Sequence, residues 1–170
     1  MESSEKKLAE LGKVLKGGNR NEIDRKIKSL RSESPYAGAL SMLAQFYDSS
    51  DDESLRQTIK GFFNDMKEKS VRNEVIEALA TVNRKSTRAM LASSCWQSGL
   101  DYSEYVVSLA EAFAAGDYET SLECFTVIDN CSGSISEDDS KEIILLLEKE
   151  IMNFDEAKQR LTEELILLFK

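Results

Sequence analysis

Apolar residues recur three and four positions apart along almost the whole chain, and no stretch alternates apolar with polar residues as a half-buried strand would. That period predicts an all-α fold, since successive strand residues would send the same side chains to opposite faces. Pro35 is the sole proline among 170 residues, so little interrupts the helices. Start and stop signals divide the chain into about ten helices, beginning near Ser4, Asn21, Pro35, Asp51, Val71, Thr87, Tyr102, Tyr118, Glu137 and Phe154. Ser34–Pro35 reads as an N-cap followed by proline at the first helical position. Ser50 with Glu53, Asp101 with Glu104, Ser136 with Asp139 and Asn153 with Glu156 have capping-box spacing. Gly18, Gly99, Gly116 and Gly133 fall where helices should stop in the left-handed conformation.

Alternate starts lie roughly 31–36 residues apart, the period of helix-pair repeats. Short internal likenesses agree with it: the run 39–44 parallels 88–92, and Ile76-Glu-Ala-Leu79 parallels Leu122-Glu-Cys-Phe125. The expected architecture is therefore one domain over 1–170, made of stacked antiparallel helix pairs in a short α-α superhelix. Within it, 1–34 would be an N-terminal capping pair, 35–152 the repeat body and 153–170 an apolar C-terminal helix. Leu8, Leu11 and Leu15, then Ile23, Ile27 and Leu30, form the narrow stripes of a terminal pair. Val106, Val107, Leu109, Ala110, Ala112, Phe113, Ala114 and Ala115 leave the polar face of a middle helix small, as expected where neighbours cover both sides. Leu165, Ile166, Leu167, Leu168 and Phe169 point all round the last helix. This tip either tucks under the array or forms a sticky edge for a partner or a second copy, with Leu165, Ile166, Leu168 and Phe169 as candidate self-association residues.

Histidine is absent, which excludes Ser-His-Asp and Cys-His catalysis and histidine metal sites. No P-loop and no GxGxxG occurs; Asp48-Ser-Ser-Asp-Asp-Glu53 lacks the glycine and glutamate that an EF-hand loop needs. Cys95, Cys124 and Cys131 form no CxxC pair and read as buried, reduced thiols. No cofactor and no metal is expected, and the chain reads as non-enzymatic. With no export leader read in Met1–Gly18 and no apolar run near the length of a membrane span, a cytoplasmic protein is expected.

Charge narrows the partners. The chain carries 22 basic and 31 acidic residues, a net charge of −9, and no Lys or Arg occurs between Arg88 and Lys141, where ten acids lie. Such a surface repels a nucleic-acid backbone. Its acids serve helix starts and solubility or draw a basic partner.

The stretch Cys95-Trp-Gln-Ser-Gly-Leu-Asp-Tyr-Ser-Glu-Tyr105, followed by Gly116-Asp-Tyr-Glu119, resembles HEAT-repeat-like proteins, in particular small bacterial ones without an assigned activity. Asp101 and Asp117 match the inter-helix aspartate of HEAT units. The proline and basic residue frequent in such units are missing between Ala89 and Asn130, as is the Trp-Leu-Gly-Tyr pattern of tetratricopeptide repeats. The resemblance implies a protein-binding scaffold. Trp96 reads either as closing the core between repeats or as a partner anchor, and Tyr102, Tyr105 and Tyr118 gather near the same turns. With Asp101, Glu104, Asp117 and Glu119 they make up the candidate surface for a basic or amphipathic protein segment. A homodimer through the C-terminal helix is the second reading, and a carboxylate-dependent enzyme the third.

Overall fold

A computed structural model describes residues 3–170; Met1 and Glu2, which begin the stretch read for a leader, lie outside the described residues. Those residues form ten α-helices and no strand: α1 Ser4–Gly17, α2 Arg20–Leu30, α3 Ala39–Ser49, α4 Glu53–Asn64, α5 Arg72–Thr81, α6 Lys85–Gln97, α7 Val106–Ala115, α8 Tyr118–Cys131, α9 Glu137–Glu150 and α10 Glu156–Leu167. None is long and apolar enough to cross a membrane.

Six helices are capped by their own sequence. Side chains of Ser3, Asn19, Asp52, Asp117, Ser136 and Asp155 each accept from a backbone N–H in the first turn. Ser136 performs as expected, while Asp52 and Asp155 take the places read for Ser50 and Asn153. Asp101 caps no helix: it accepts from Ser103 N–H (2.9 Å), a tight turn follows, and α7 starts only at Val106. Nor does Pro35 begin α3, which starts four residues later. Of the four glycines read as left-handed stops, only Gly99 adopts that backbone, at φ 72°. Gly116 is required for a different reason. A Cβ there would lie 2.7 Å from Thr120 Cγ2 and 2.9 Å from the Ala112 carbonyl.

Helices pack in successive pairs, α1 with α2 through α9 with α10, and each also packs on the next but one. Odd-numbered helices therefore form one row and even-numbered helices a second, with short turns reversing the chain between them. One apolar core runs from Leu11 to Ile166. α6 lies at its centre, touching α3, α4, α5 and α8, and it buries Ala89 to Cys95 without a break. Small residues make that possible: Ser94 is buried, and its hydroxyl donates to its own helix at Leu91 (2.7 Å).

Charged side chains join each repeat to its neighbour through helix ends. Glu74 of α5 accepts from Gly38 (2.8 Å), Leu40 (3.1 Å) and Ser41 (3.4 Å), capping α3, which has no side-chain cap of its own. Asp48 of α3 accepts from Asn83 (3.0 Å) and Arg84 (2.9 Å) where α6 begins. At carbonyl ends, Lys67 donates to Ser98 (2.6 Å), and Lys158 of α10 donates to Ala114 (2.8 Å) and Gly116 (2.7 Å). Acids meet the positive ends of helices and bases the negative ends, as the macrodipole favours. Apart from those of Lys158, these links join residues 31 to 36 apart, the spacing of alternate helix starts.

Candidate functional site

The residues singled out from the sequence do not form one surface. Trp96, Asp101, Glu104 and Tyr105 lie around the α6–α7 turn, whereas Asp117, Tyr118 and Glu119 lie at the α7–α8 turn, the other end of α7, roughly 15 Å away. Trp96 is 39% exposed, and its indole N–H donates to Glu123 (2.6 Å); it does not close the core. Trp96 and Asp101 instead edge a shallow depression of about 280 Å³ with Asn130 and Cys131. Tyr102 is fully buried and cannot meet a partner. Its ring fills the core between α6 and α8, and its hydroxyl lies beside the Cys95 thiol. Burial pushes that phenol up, and pushes the Cys95 thiol up to about 12. All three cysteines are free and buried.

Nor is the acidic stretch bare. Arg72, from the preceding repeat, pairs with Glu104 (2.5 Å), donates to the Asp101 carbonyl and lies 5.4 Å from the Tyr105 ring centre. Donation from the Ser103 N–H, with its hydroxyl and the charges of Arg72 and Lys69, holds the Asp101 carboxyl below its usual range. For Asp117, burial alone would raise the carboxyl; the Thr120 N–H (3.0 Å), the Thr120 hydroxyl and the charge of Lys85 more than offset it. These two carboxylates hold turns in place. Tyr118 and Glu119 are exposed.

At the C-terminal end, Leu165 and Ile166 are buried against the array, so they cannot serve self-association. Leu168 is 38% exposed and Phe169 half-buried. The open apolar groups of the last helix pair are Leu145, Met152 and Leu167, each more than 60% exposed, together with Leu168.

The feature best shaped to receive a ligand is a groove of about 400 Å³ between α5 and α7. These are the two shortest helices among the described residues. Ile76, Leu79 and Ala112 form its apolar floor, and Tyr105 stands at the end where both helices begin. Arg88 and Thr120 close the other end, where both helices stop. The groove stays open because Ala80, Ser108, Ala112 and Ala115 are too short to meet across it. Glu77 and Glu111 flank it, both exposed, and neither pairs with a base among the described residues; the Glu77 carboxylate accepts from Asn73 of its own helix (2.6 Å).

Of the sequence-named residues, only Tyr105 lines this groove. Glu77, Arg88, Glu111 and Thr120 were missed. A signal exists in the small residues Ser108, Ala112 and Ala115, spaced four and three apart on α7. Taking α7 as covered on both sides hid it, whereas Ala115 is exposed and Ser108 and Ala112 half-exposed. No three acids or cysteines among the described residues converge as metal ligands. Searches against protein-family models, curated proteins and solved structures give no match to this chain.

Proposed function

We propose that this chain is a non-catalytic interaction module of the cytoplasm, HEAT-like in its stacked helix pairs, that receives a basic or amphipathic segment of a partner protein in the α5–α7 groove. The observation that carries the reading is the groove itself: an apolar floor flanked by Glu77 and Glu111, two exposed carboxylates with no basic partner among the described residues. A lysine or arginine stem covers apolar floor while its head meets a carboxylate, so one side chain uses both features. Ten-residue helices give a groove roughly 15 Å long, room for about four or five extended residues. Of the residues that the sequence first suggested, Tyr105 alone borders this groove.

Selection from a display library of random dodecapeptides tests this. Enrichment of lysine or arginine, with binding lost in high salt and weakened about tenfold by the folded Glu77→Lys/Glu111→Lys double variant, supports it. Recovery of no peptide, or of peptides indifferent to those substitutions, overturns it.

A homodimer is the second reading, favoured by the open Leu145, Met152 and Leu167 on the terminal pair, where a stacked array ordinarily ends in a polar face. Light scattering decides it: a dimer that becomes a folded monomer on Met152→Gln/Leu167→Gln supports it, and a monomeric parent chain rejects it.

A further inference from the structure

The two ends of the array differ in charge. α1 and α2 carry eight bases and four acids, whereas α9 and α10 carry four bases and nine acids. An open groove of about 720 Å³ runs between α1 and α2, lined only by those helices and their turn. Gly12 of α1 lies against Met42 of α3, and Asp24 of α2 accepts from the Thr58 hydroxyl of α4 (2.7 Å). Val14 and Lys26, two positions after Gly12 and Asp24, stand about 200° round their helices, so the groove opens away from the rest of the array. Half-buried Val14 with Gly17 and Gly18 forms its floor. Its acids are engaged: Glu10 pairs with Lys26 (3.2 Å), and Glu22 accepts from the Asn19 N–H (3.0 Å). Lys13 and Arg25 are exposed beside the floor, and neither pairs with an acid among the described residues; Arg25 Nε donates to the Asn21 carbonyl of its own helix (3.3 Å). The far end is the converse. Lys158 of α10 reaches back to the α7–α8 turn, and Leu167 stands nine positions on, about two and a half turns, so it points away from the array. Leu167 is 67% exposed, and Glu163, one turn before it, is exposed and pairs with no base among the described residues.

We propose that copies of this chain join head to tail, the α9–α10 end of one copy seating on the α1–α2 groove of the next. This rests on the self-association reading above, to which it adds the second surface, and it does not depend on the α5–α7 groove. An open apolar residue beside a free carboxylate at one end matches an apolar floor beside two free bases at the other. Leu167 leaves water on the Val14 floor, and Glu163 meets Lys13 and Arg25. Within one copy each helix packs on the next but one, and the joint repeats that arrangement between copies, α9 on α1 and α10 on α2. The occupant is a second copy because one chain carries both complementary faces. A two-fold dimer through the terminal pair would instead set nine acids against nine, and like charges oppose such a contact. Since the two faces differ, each joint leaves one free end of either kind, and addition continues.

Multi-angle light scattering of the full chain across a concentration series tests this. In low salt the mass should rise past two copies as concentration increases, and association should weaken about tenfold in high salt. Lys13→Glu/Arg25→Glu and Glu163→Gln/Leu167→Gln alter exposed residues, so both should keep the helicity of the parent by circular dichroism, and each alone should be a monomer. Mixed in equal amounts, they should form a species of two copies and none larger, because each supplies the face that the other lacks. A dimer that persists in Lys13→Glu/Arg25→Glu but is lost in Glu163→Gln/Leu167→Gln is symmetric; it overturns the head-to-tail joint and leaves self-association standing. A mixture that stays monomeric overturns the joint as well. A parent chain that is monomeric at every concentration overturns both.

Discussion

Glu74 stands in α5 and holds the start of α3, a helix that begins at Ala39 with no side-chain cap of its own. Replacing it by alanine removes two hydrogen bonds from an ionised acceptor, at 2.8 and 3.1 Å, and a third, weaker one at 3.4 Å. A hydrogen bond to a charged group is worth about 1.5–3 kcal/mol, and loss of an N-cap costs about 0.5–2 kcal/mol. Glu74 is half-buried, so water recovers part of the loss, and the two descriptions count the same bonds. About 2–3 kcal/mol is the expected destabilisation, equivalent to roughly 4–12 °C in Tm for a domain of this size. Urea unfolding followed by far-ultraviolet circular dichroism and by Trp96 fluorescence measures it, because the two signals separate if the array stops unfolding as one unit. Glu148→Ala, an exposed acid with no ion pair or hydrogen bond among the described residues, is the control, expected within about 0.5 kcal/mol of the parent. Glu74→Gln keeps one acceptor and loses the charge, so it should fall between them. A Glu74→Ala variant as stable as the control would refute the view that one repeat caps the helices of the next.

Burial raises the thiols of Cys95, Cys124 and Cys131 above 9.0, and the phenols of Tyr36 and Tyr102 above 10.0, values that the unfolded chain keeps. Their contribution to stability is whole below about pH 9 and is lost as pH rises through the folded values, so the urea midpoint should fall above about pH 9. A midpoint that holds or rises there contradicts this. Asp48 behaves in the opposite sense: burial alone would raise its carboxyl, but the Asn83 and Arg84 N–H groups bring it below 3.8. Asp48→Asn should therefore be the less stable chain near neutral pH, and its deficit should shrink as pH falls below about 3.8; a deficit independent of pH would exclude the charge as the cause.

Much of the helix pattern was legible because caps and apolar periodicity act over three or four residues. Asn19, Asp117 and Ser136 stand immediately before their helices. The two starts displaced by four residues depend on more than the local pattern: α3 is capped by Glu74, more than 30 residues away, and a tight turn at Asp101 delays α7 to Val106. The same cause scattered the candidate surface. Tyr102 and Tyr105 are three residues apart, yet one fills the core and the other borders the groove.

Sequence by itself determined that the chain is all-helical, roughly where its helices lie and at what spacing they repeat, since these follow from local hydrogen bonding and side-chain period. Tertiary structure alone decided which apolar residues are covered and which acids are neutralised. Leu165 is buried and Leu167 open; Glu104 is paired, whereas Glu111 has no basic partner among the described residues. Burial and pairing depend on the neighbouring repeat, and residues some 30 positions apart in the chain meet only once the helices have stacked.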